Sequence, residues 1–386
     1  METEMNQILF ALLRSSICGE ELSGEERALF SRESLPELIT LAKQHDMLHL
    51  LIWGLKRNGL LTPADAPLEN SIFKAAYRYE QTNYEYGALC GALEKAEIPF
   101  LPLKGSVLRA YYPEAWMRTS CDIDILVHET DLERAITLLT DTCEYEFQGK
   151  GPHDVSLFSP TRVHVELHYT LMEDGRVNAS SGILSSVWEY TSPRSGSTYW
   201  REMCDEMFYF YHIAHMAKHF ETGGCGIKPF VDLWILDRLE GIDQSSRDEL
   251  LARGDLLKFA ESVRALSRIW FEGAEMDPIS KQIEQYILLG GVYGIEENKI
   301  AVQQQKKGGW FRYTLSKIFV PYDELKFVYP ILEKHRWLLP LMEIRRWGRL
   351  IFCGHTKRVV RELKHNRDIS SEKGDMTSRF LSDIGL

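Results

Sequence analysis

The sequence predicts an α+β protein, with a strand-containing block at residues 96–195 embedded between helical regions. Three observations carry this. Apolar residues before residue 95 recur at helical spacing. Between 97 and 175, short apolar runs alternate with short helical stretches. Beyond residue 200 the helical spacing returns.

Four regions follow in order. In residues 1–95, "SLPELITLAKQHDMLHLLIWGLKRNGLL" places Leu38, Ile39, Leu41, Ala42, Leu48, Leu51, Ile52 and Leu55 at the helix period, and Gly59 ends the run. "PLENSIFKAAYRYEQTNYEYGALCGALEKAE" reads as one long helix. In residues 96–195, "IPFLPLK" is a strand, "GSVLRAYY" opens a helix and "CDIDILV" is a strand. "ETDLERAITLLTDTC" is a helix with a capping box of Thr130 and Glu133, and "EYEFQG" and "TRVHVELHYTL" are further strands. Residues 196–300 are helical, with "EMFYFYHIAHMAKHF" and "VDLWILDRLE" separated by the Gly-rich "GGCGIKPF". Residues 301–386 mix aromatic and basic residues over helices broken by Pro321, Pro330 and Pro340, and the last twenty residues read as polar and frayed.

Composition narrows the class. The 386 residues are 44% hydrophobic and 26% charged, an ordinary globular balance sufficient for two or three cores. No run is long and apolar enough to span a bilayer, and the N-terminus lacks a basic-then-apolar secretory pattern, so a cytoplasmic location is expected. Seven scattered cysteines without a C-x-x-C pair argue against a disulfide framework or a zinc module. The net charge of −11 is uneven: residues 300–367 hold fifteen Lys and Arg against five acids, a net +10, which leaves −21 elsewhere. A basic segment on an acidic chain suits an anionic partner, or docking onto its own acidic part. Its interleaved Trp310, Phe311, Tyr313, Trp337 and Trp347 are compatible with single-stranded nucleic acid, an anionic membrane surface or a plain solvated helical domain.

The chemistry concentrates in "LPLKGSVLRAYYPEAWMRTSCDIDILV", Leu101 to Val127. Two carboxylates inside an apolar strand cost free energy unless paired or bound to a cation. Alternation puts Asp122 and Asp124 on one face, about 6.6–7 Å apart, with Ile123 and Ile125 on the other. Short acids offer the oxygen ligands that Mg2+ and Mn2+ prefer. In "RVHVELHYT", His164, Glu166 and His168 share the face opposite Val163, Val165 and Leu167. If the two strands are neighbours, Glu166 completes an acidic triad able to hold two ions for phosphoryl or nucleotidyl transfer. "LKGSV" adds a strand–turn–helix start: Gly105 allows close approach, Ser106 is a donor, and Lys104 and Arg118 are candidate triphosphate partners.

This arrangement resembles the nucleotidyltransferase superfamily typified by DNA polymerase beta. Its fuller string, "LKGSVL…YYPEAWMRTSCDIDILV…DLERAITLL…VHVELHYTL", is most similar to a bacterial branch of largely uncharacterised nucleotidyltransferases. The resemblance implies a small mixed β-sheet core with helices on one side. It also implies transfer of a nucleoside monophosphate from an NTP such as ATP to a hydroxyl or phosphate acceptor, with release of pyrophosphate. By motif, Gly105 and Ser106 become the phosphate-binding turn, Asp122 and Asp124 the metal ligands, and Glu166 the third acid, where the superfamily often has Asp. Mg2+ or Mn2+, as two ions, is the implied cofactor.

Other readings stand beside this one. D-x-D also grips sugar nucleotides through manganese in glycosyltransferases, although the Rossmann-like stretch expected before it is missing. A non-catalytic nucleotide-binding scaffold is the third reading. His153, His168, Lys228 and Asp232 are candidate substrate contacts, although a helix N-terminus also accounts for Asp232. His212, His215 and His219 have the i, i+3, i+7 spacing of a zinc site or of a packed polar helix face.

Overall fold

A computed structural model of the chain describes residues 2–171, 179–294, 299–300, 302–304, 310–352 and 371–386. Four N-terminal helices, α1 (Glu2–Cys18), α2 (Gly24–Ala28), α3 (Leu35–Gln44) and α4 (Leu48–Arg57), precede the long α5 (Asn70–Lys95). The run of helical spacing that Gly59 ends is divided into α3 and α4 around Asp46, whose φ of 55° is left-handed. Gly54 lets α4 cross α1 closely: a Cβ there would lie 2.5 Å from the Leu12 carbonyl oxygen.

A five-stranded sheet follows: β1 (Phe100–Pro102), β2 (Asp122–Val127), β3 (Glu146–Lys150), β4 (Asp154–Phe158) and β5 (His164–His168). Their order is β1-β2-β5-β4-β3; β2 and β5 are parallel and the other pairs antiparallel. Between β1 and β2 lies the one-turn α6 (Gly105–Leu108), shorter than the helix expected there. After β2, α7 (Leu132–Thr137) begins behind a 3-10 turn. Asp131 is its N-cap and makes no side-chain capping bond, so the Thr130–Glu133 capping box does not form.

Alternation along the strands buries Ile123, Ile125, Val155, Leu157, Val165 and Leu167 against Leu89 and Leu93 of α5 and Leu132, Ala135 and Leu139. The structure is therefore a small mixed sheet flanked by helices, the α+β class the sequence predicts.

The remaining helices are α8 (Ala179–Ser185), α9 (Asp205–Glu221), α10 (Lys228–Asp237), α11 (Gln244–Arg253), α12 (Leu257–Glu272) and α13 (Pro278–Leu288). Residues of α1, α3 and α4 share one apolar core with those of α9 to α13; Phe10, for example, stacks on Trp270 at 4.1 Å. A hairpin of β6 (Thr191–Pro193) and β7 (Arg201–Met203) precedes α9.

Of the basic C-terminal segment, α14 (Trp310–Ile318), α15 (Tyr322–Val328), α16 (Ile331–Lys334) and α17 (Leu339–Phe352) are described, with a small core of Leu325, Tyr329, Leu332 and Met342. Lys306 and Lys307, and the stretch 353–370 with Cys353, Lys357, Arg358, Arg361, Lys364 and Arg367, lie outside the described residues. The last twenty residues are not simply frayed. Among them α18 (Ser371–Asp383) buries Leu381, with Ile384 just beyond it, in the main core, and Phe380 packs on Tyr286 at 5.0 Å. Three apolar residues spaced for one helix face outweigh the polar composition.

Candidate active site

The parallel pairing of β2 with β5 sets Asp122 opposite His164 and Asp124 opposite Glu166. On β5's other edge, β4 sets Ser156 opposite Glu166 and Asp154 opposite His168. Because neighbouring strands run about 4.8 Å apart, these side chains converge on the face opposite the apolar core. Among the described residues, two groups of His and carboxylate ligands come within metal-binding reach: Asp122–His164–Glu166 and Asp124–Glu166–His168, with ligand atoms in each within 4.8 Å of one another. Glu166 belongs to both. The donor set, three carboxylates and two imidazoles, fits a divalent cation.

Lys104 controls the inner group. It sits in a left-handed conformation at φ 46° immediately before α6, and its ammonium turns inward. It donates to Asp124 Oδ1 at 2.8 Å and lies 4.0 Å from Glu166 Oε2. His168 Nε2 lies 3.0 Å from the same Asp124 oxygen and 3.4 Å from Glu166 Oε2. Burial opposes the charge on Asp124, but Lys104 and His168 outweigh it and hold its carboxyl far below the usual range. Burial likewise disfavours imidazolium at His168, yet the hydrogen bonds to Asp124 and Glu166 raise its pKa. Among the described residues Asp122 has no such hydrogen-bonded cation; burial, then the neighbouring Asp124 charge, push its pKa up. His153 stacks beside His168 with ring centroids 6.1 Å apart.

The Gly105–Ser106 turn presents a hydroxyl more than a ring of free amides. The Ser106 N–H bonds the Leu103 carbonyl at 3.2 Å and the Val107 N–H bonds Lys104 at 3.1 Å. Ser106 Oγ is buried with no hydrogen-bond partner among the described residues, an orphan donor beside the Lys104 turn. Gly105 packs closely: a Cβ would lie 3.1 Å from Ser120 Cβ, so Ser120 would have to shift by a few tenths of an ångström. Arg109, absent from the sequence-based site, staples the two by donating to the Gly105 carbonyl at 3.0 Å and Ser120 Oγ at 2.9 Å.

A family model described as "Uncharacterised nucleotidyltransferase" matches residues 31–272. The chain belongs to this nucleotidyltransferase family. Neither a curated protein nor a solved structure gives a match. The matched span extends well beyond the sheet, from α3 through α12. It thus takes in the helices that hold the loop before β2.

That loop is fixed by one largely buried ion pair and one partly exposed one. Arg118 donates Nε and Nη2 to the two oxygens of Asp232 at 2.7 and 2.9 Å, and Nη1 to the Thr119 carbonyl at 2.6 Å. Tyr112 OH adds a 2.8 Å bond to Asp232. Lys228 donates to Asp46 at 2.6 Å and to Thr119 Oγ1 at 3.1 Å, and His49 Nε2 sits 2.8 Å from the Met117 carbonyl. Arg118, Lys228 and Asp232 are thus all engaged with protein partners that clamp residues 112–119 between α10 and the α3–α4 junction. Asp46, His49 and Tyr112 escaped the sequence reading because their partners are between 68 and 182 residues away.

A cavity of about 180 Å³ opens on the α9–α10 side of Lys104, lined by Tyr211, His212, His215, His219 and Lys228 among others. A larger one, about 1260 Å³ between α1 and the α12–α13 junction, shares no residue with the carboxylates. His212 Nε2 faces the Pro229 carbonyl at 3.0 Å, and the Nε2 atoms of His215 and His219 are 3.0 Å apart. These three histidines are not among the metal-binding groups found in the described residues. Burial, then the charges of Lys218 and Lys104, push His219 down to about 4; burial and Lys104 bring Lys218 down to about 8.

Proposed function

We propose that the protein is a metal-dependent nucleotidyltransferase of the polymerase beta-like kind, transferring a nucleoside monophosphate from an NTP to a hydroxyl or phosphate acceptor. The observation that carries this reading is the register of β2 on β5, which sets Asp124 beside Glu166 and Asp122 beside His164 on one face. Membership of a nucleotidyltransferase family supports it.

In this reading Asp122, Asp124 and Glu166 are the metal ligands. Bound divalent cations would supply charge neutralisation and Lewis-acid polarisation of the α-phosphoryl group. Ser106 Oγ donates to a phosphate oxygen, and Lys104, already beside Asp124, adds positive charge next to the departing pyrophosphate. The acceptor oxygen forms its bond to the α-phosphorus as the bond to the bridging oxygen breaks, so pyrophosphate leaves with that electron pair. Glu166, the more exposed of the Asp124–Glu166 pair, takes the acceptor proton. The cavity beside Lys104 is the place for the acceptor, walled by the helices that follow the sheet. Arg118, Lys228 and Asp232 hold the loop that carries Asp122.

The test is pyrophosphate release from each NTP with Mg2+ or Mn2+ over a panel of hydroxyl and phosphate acceptors, alongside NTP binding by calorimetry. Asp124→Asn should abolish release and weaken metal-dependent NTP binding at least tenfold. Equal binding and turnover in the variant would end this reading.

A further inference from the structure

We infer that, before nucleotide binds, Asp122, His164 and Glu166 form a mixed oxygen–nitrogen site for one transition-series divalent cation, while the Lys104 ammonium fills the charge position beside Asp124 that a second ion takes only with nucleotide. The inference rests on this face being the transfer site, and it narrows the metal class and number.

The imidazole is already oriented as a ligand. His164 Nε2 lies 2.7 Å from Ser156 Oγ, and its Nδ1 faces Glu166 Oε1 at 4.0 Å. With the proton on Nε2 donated to Ser156, the Nδ1 lone pair points toward the carboxylates. Metal-bound histidines use their second ring nitrogen in this way. The Phe158 ring, 5.2 Å from His164, packs against the same imidazole.

The two groups that share Glu166 are not equivalent. The inner one, Asp124–Glu166–His168, already contains an ammonium at 2.8 Å from Asp124, and its His168 bridges both carboxylates. A dication there would face a cation at close range. The outer group, Asp122–His164–Glu166, is half-exposed; among the described residues neither Asp122 nor His164 makes an ion pair with a Lys or Arg, and Lys104 stands 4.0 Å from the shared Glu166 against 2.8 Å from Asp124. A nitrogen donor in that shell suits Mn2+, Co2+ or Zn2+ better than Mg2+, which keeps to oxygen ligands and water.

The probe is Mn2+ added to the full chain without nucleotide. Free Mn2+ is followed by electron paramagnetic resonance, and bound Mn2+ is examined for ¹⁴N coupling by electron spin-echo modulation. The expected result is one ion per chain, ¹⁴N coupling, and displacement by Mg2+ only at more than tenfold excess. His164→Ala should remove the coupling and weaken binding about tenfold or more. His168→Ala should keep the coupling, Ser156→Ala should alter its magnitude with a smaller loss of affinity, and Lys104→Ala should raise the count to two. Circular dichroism checks that each variant folds. No Mn2+ binding, two ions in the unaltered protein, coupling that survives His164→Ala, or equal competition by Mg2+ each overturns the inference. Pyrophosphate release with Mg2+ but no ¹⁴N coupling leaves the transfer reading standing and removes this one. Coupling without release does the reverse.

Discussion

Replacing Asp232 with alanine separates an architectural Arg118 from a phosphate-binding one. Asp232 is 1% exposed and accepts two bonds from Arg118 and one from Tyr112. Its removal leaves a buried guanidinium without counter-charge and a buried phenol without an acceptor. Breaking a buried pair from one side costs about 3–5 kcal/mol, since the remaining charge has lost its compensation. The Tyr112 bond, made to a charged acceptor, falls within that range and does not add to it in full. Urea unfolding should therefore show a loss of about 3–5 kcal/mol. The double variant Arg118→Met, Asp232→Leu should recover most of it, because two apolar side chains replace the pair without an orphan charge. A loss below about 1 kcal/mol for Asp232→Ala, together with weakened NTP binding, would refute the clamp and return Arg118 to the triphosphate.

Three further outcomes are expected. Ser106→Ala should change stability by less than about 0.5 kcal/mol, since its hydroxyl has no protein partner, yet weaken NTP binding severalfold by calorimetry. Gly54→Ala should cost about 1–3 kcal/mol or more in urea unfolding, because the added Cβ would meet Leu12 O at 2.5 Å and Ser16 Oγ at 2.8 Å. His45 and His49 are held down at about 4 by burial against 6.5 when unfolded, so the unfolded chain takes protons first as pH falls. Stability should decline between pH 6.5 and 4, by at most about 3 kcal/mol per histidine, and level off below. His49→Gln should flatten that slope in unfolding curves taken from pH 7.5 to 4.5.

The strand period made much of the site legible. Asp122 and Asp124 on one face, and His164, Glu166 and His168 on another strand's polar face, follow from alternation alone, and pairing β2 with β5 brought the two sets together. β4, Asp154–Phe158, alternates just as plainly, but it is short and follows directly on the Gly151-Pro152 turn signal, which masks a strand start. Nothing local announces that Lys104 turns inward. Its direction depends on a left-handed φ and on a carboxylate twenty residues on. The partners of Arg118, Lys228 and His49 are set by how α10 and the α3–α4 junction meet, a tertiary fact with no periodic signature. Ser156 as the support of His164 is likewise visible only once β4 is placed beside β5.

The stacking of Phe10 on Trp270 has a bearing on how the protein is made. Helix α1 shares its interior with a helix translated some 260 residues later. At about 5–20 residues per second, the greasy side of α1 waits on the order of tens of seconds for its counterpart. Through that interval the apolar face of α1 lacks its cover, and a fragment ending before α12 leaves that face open.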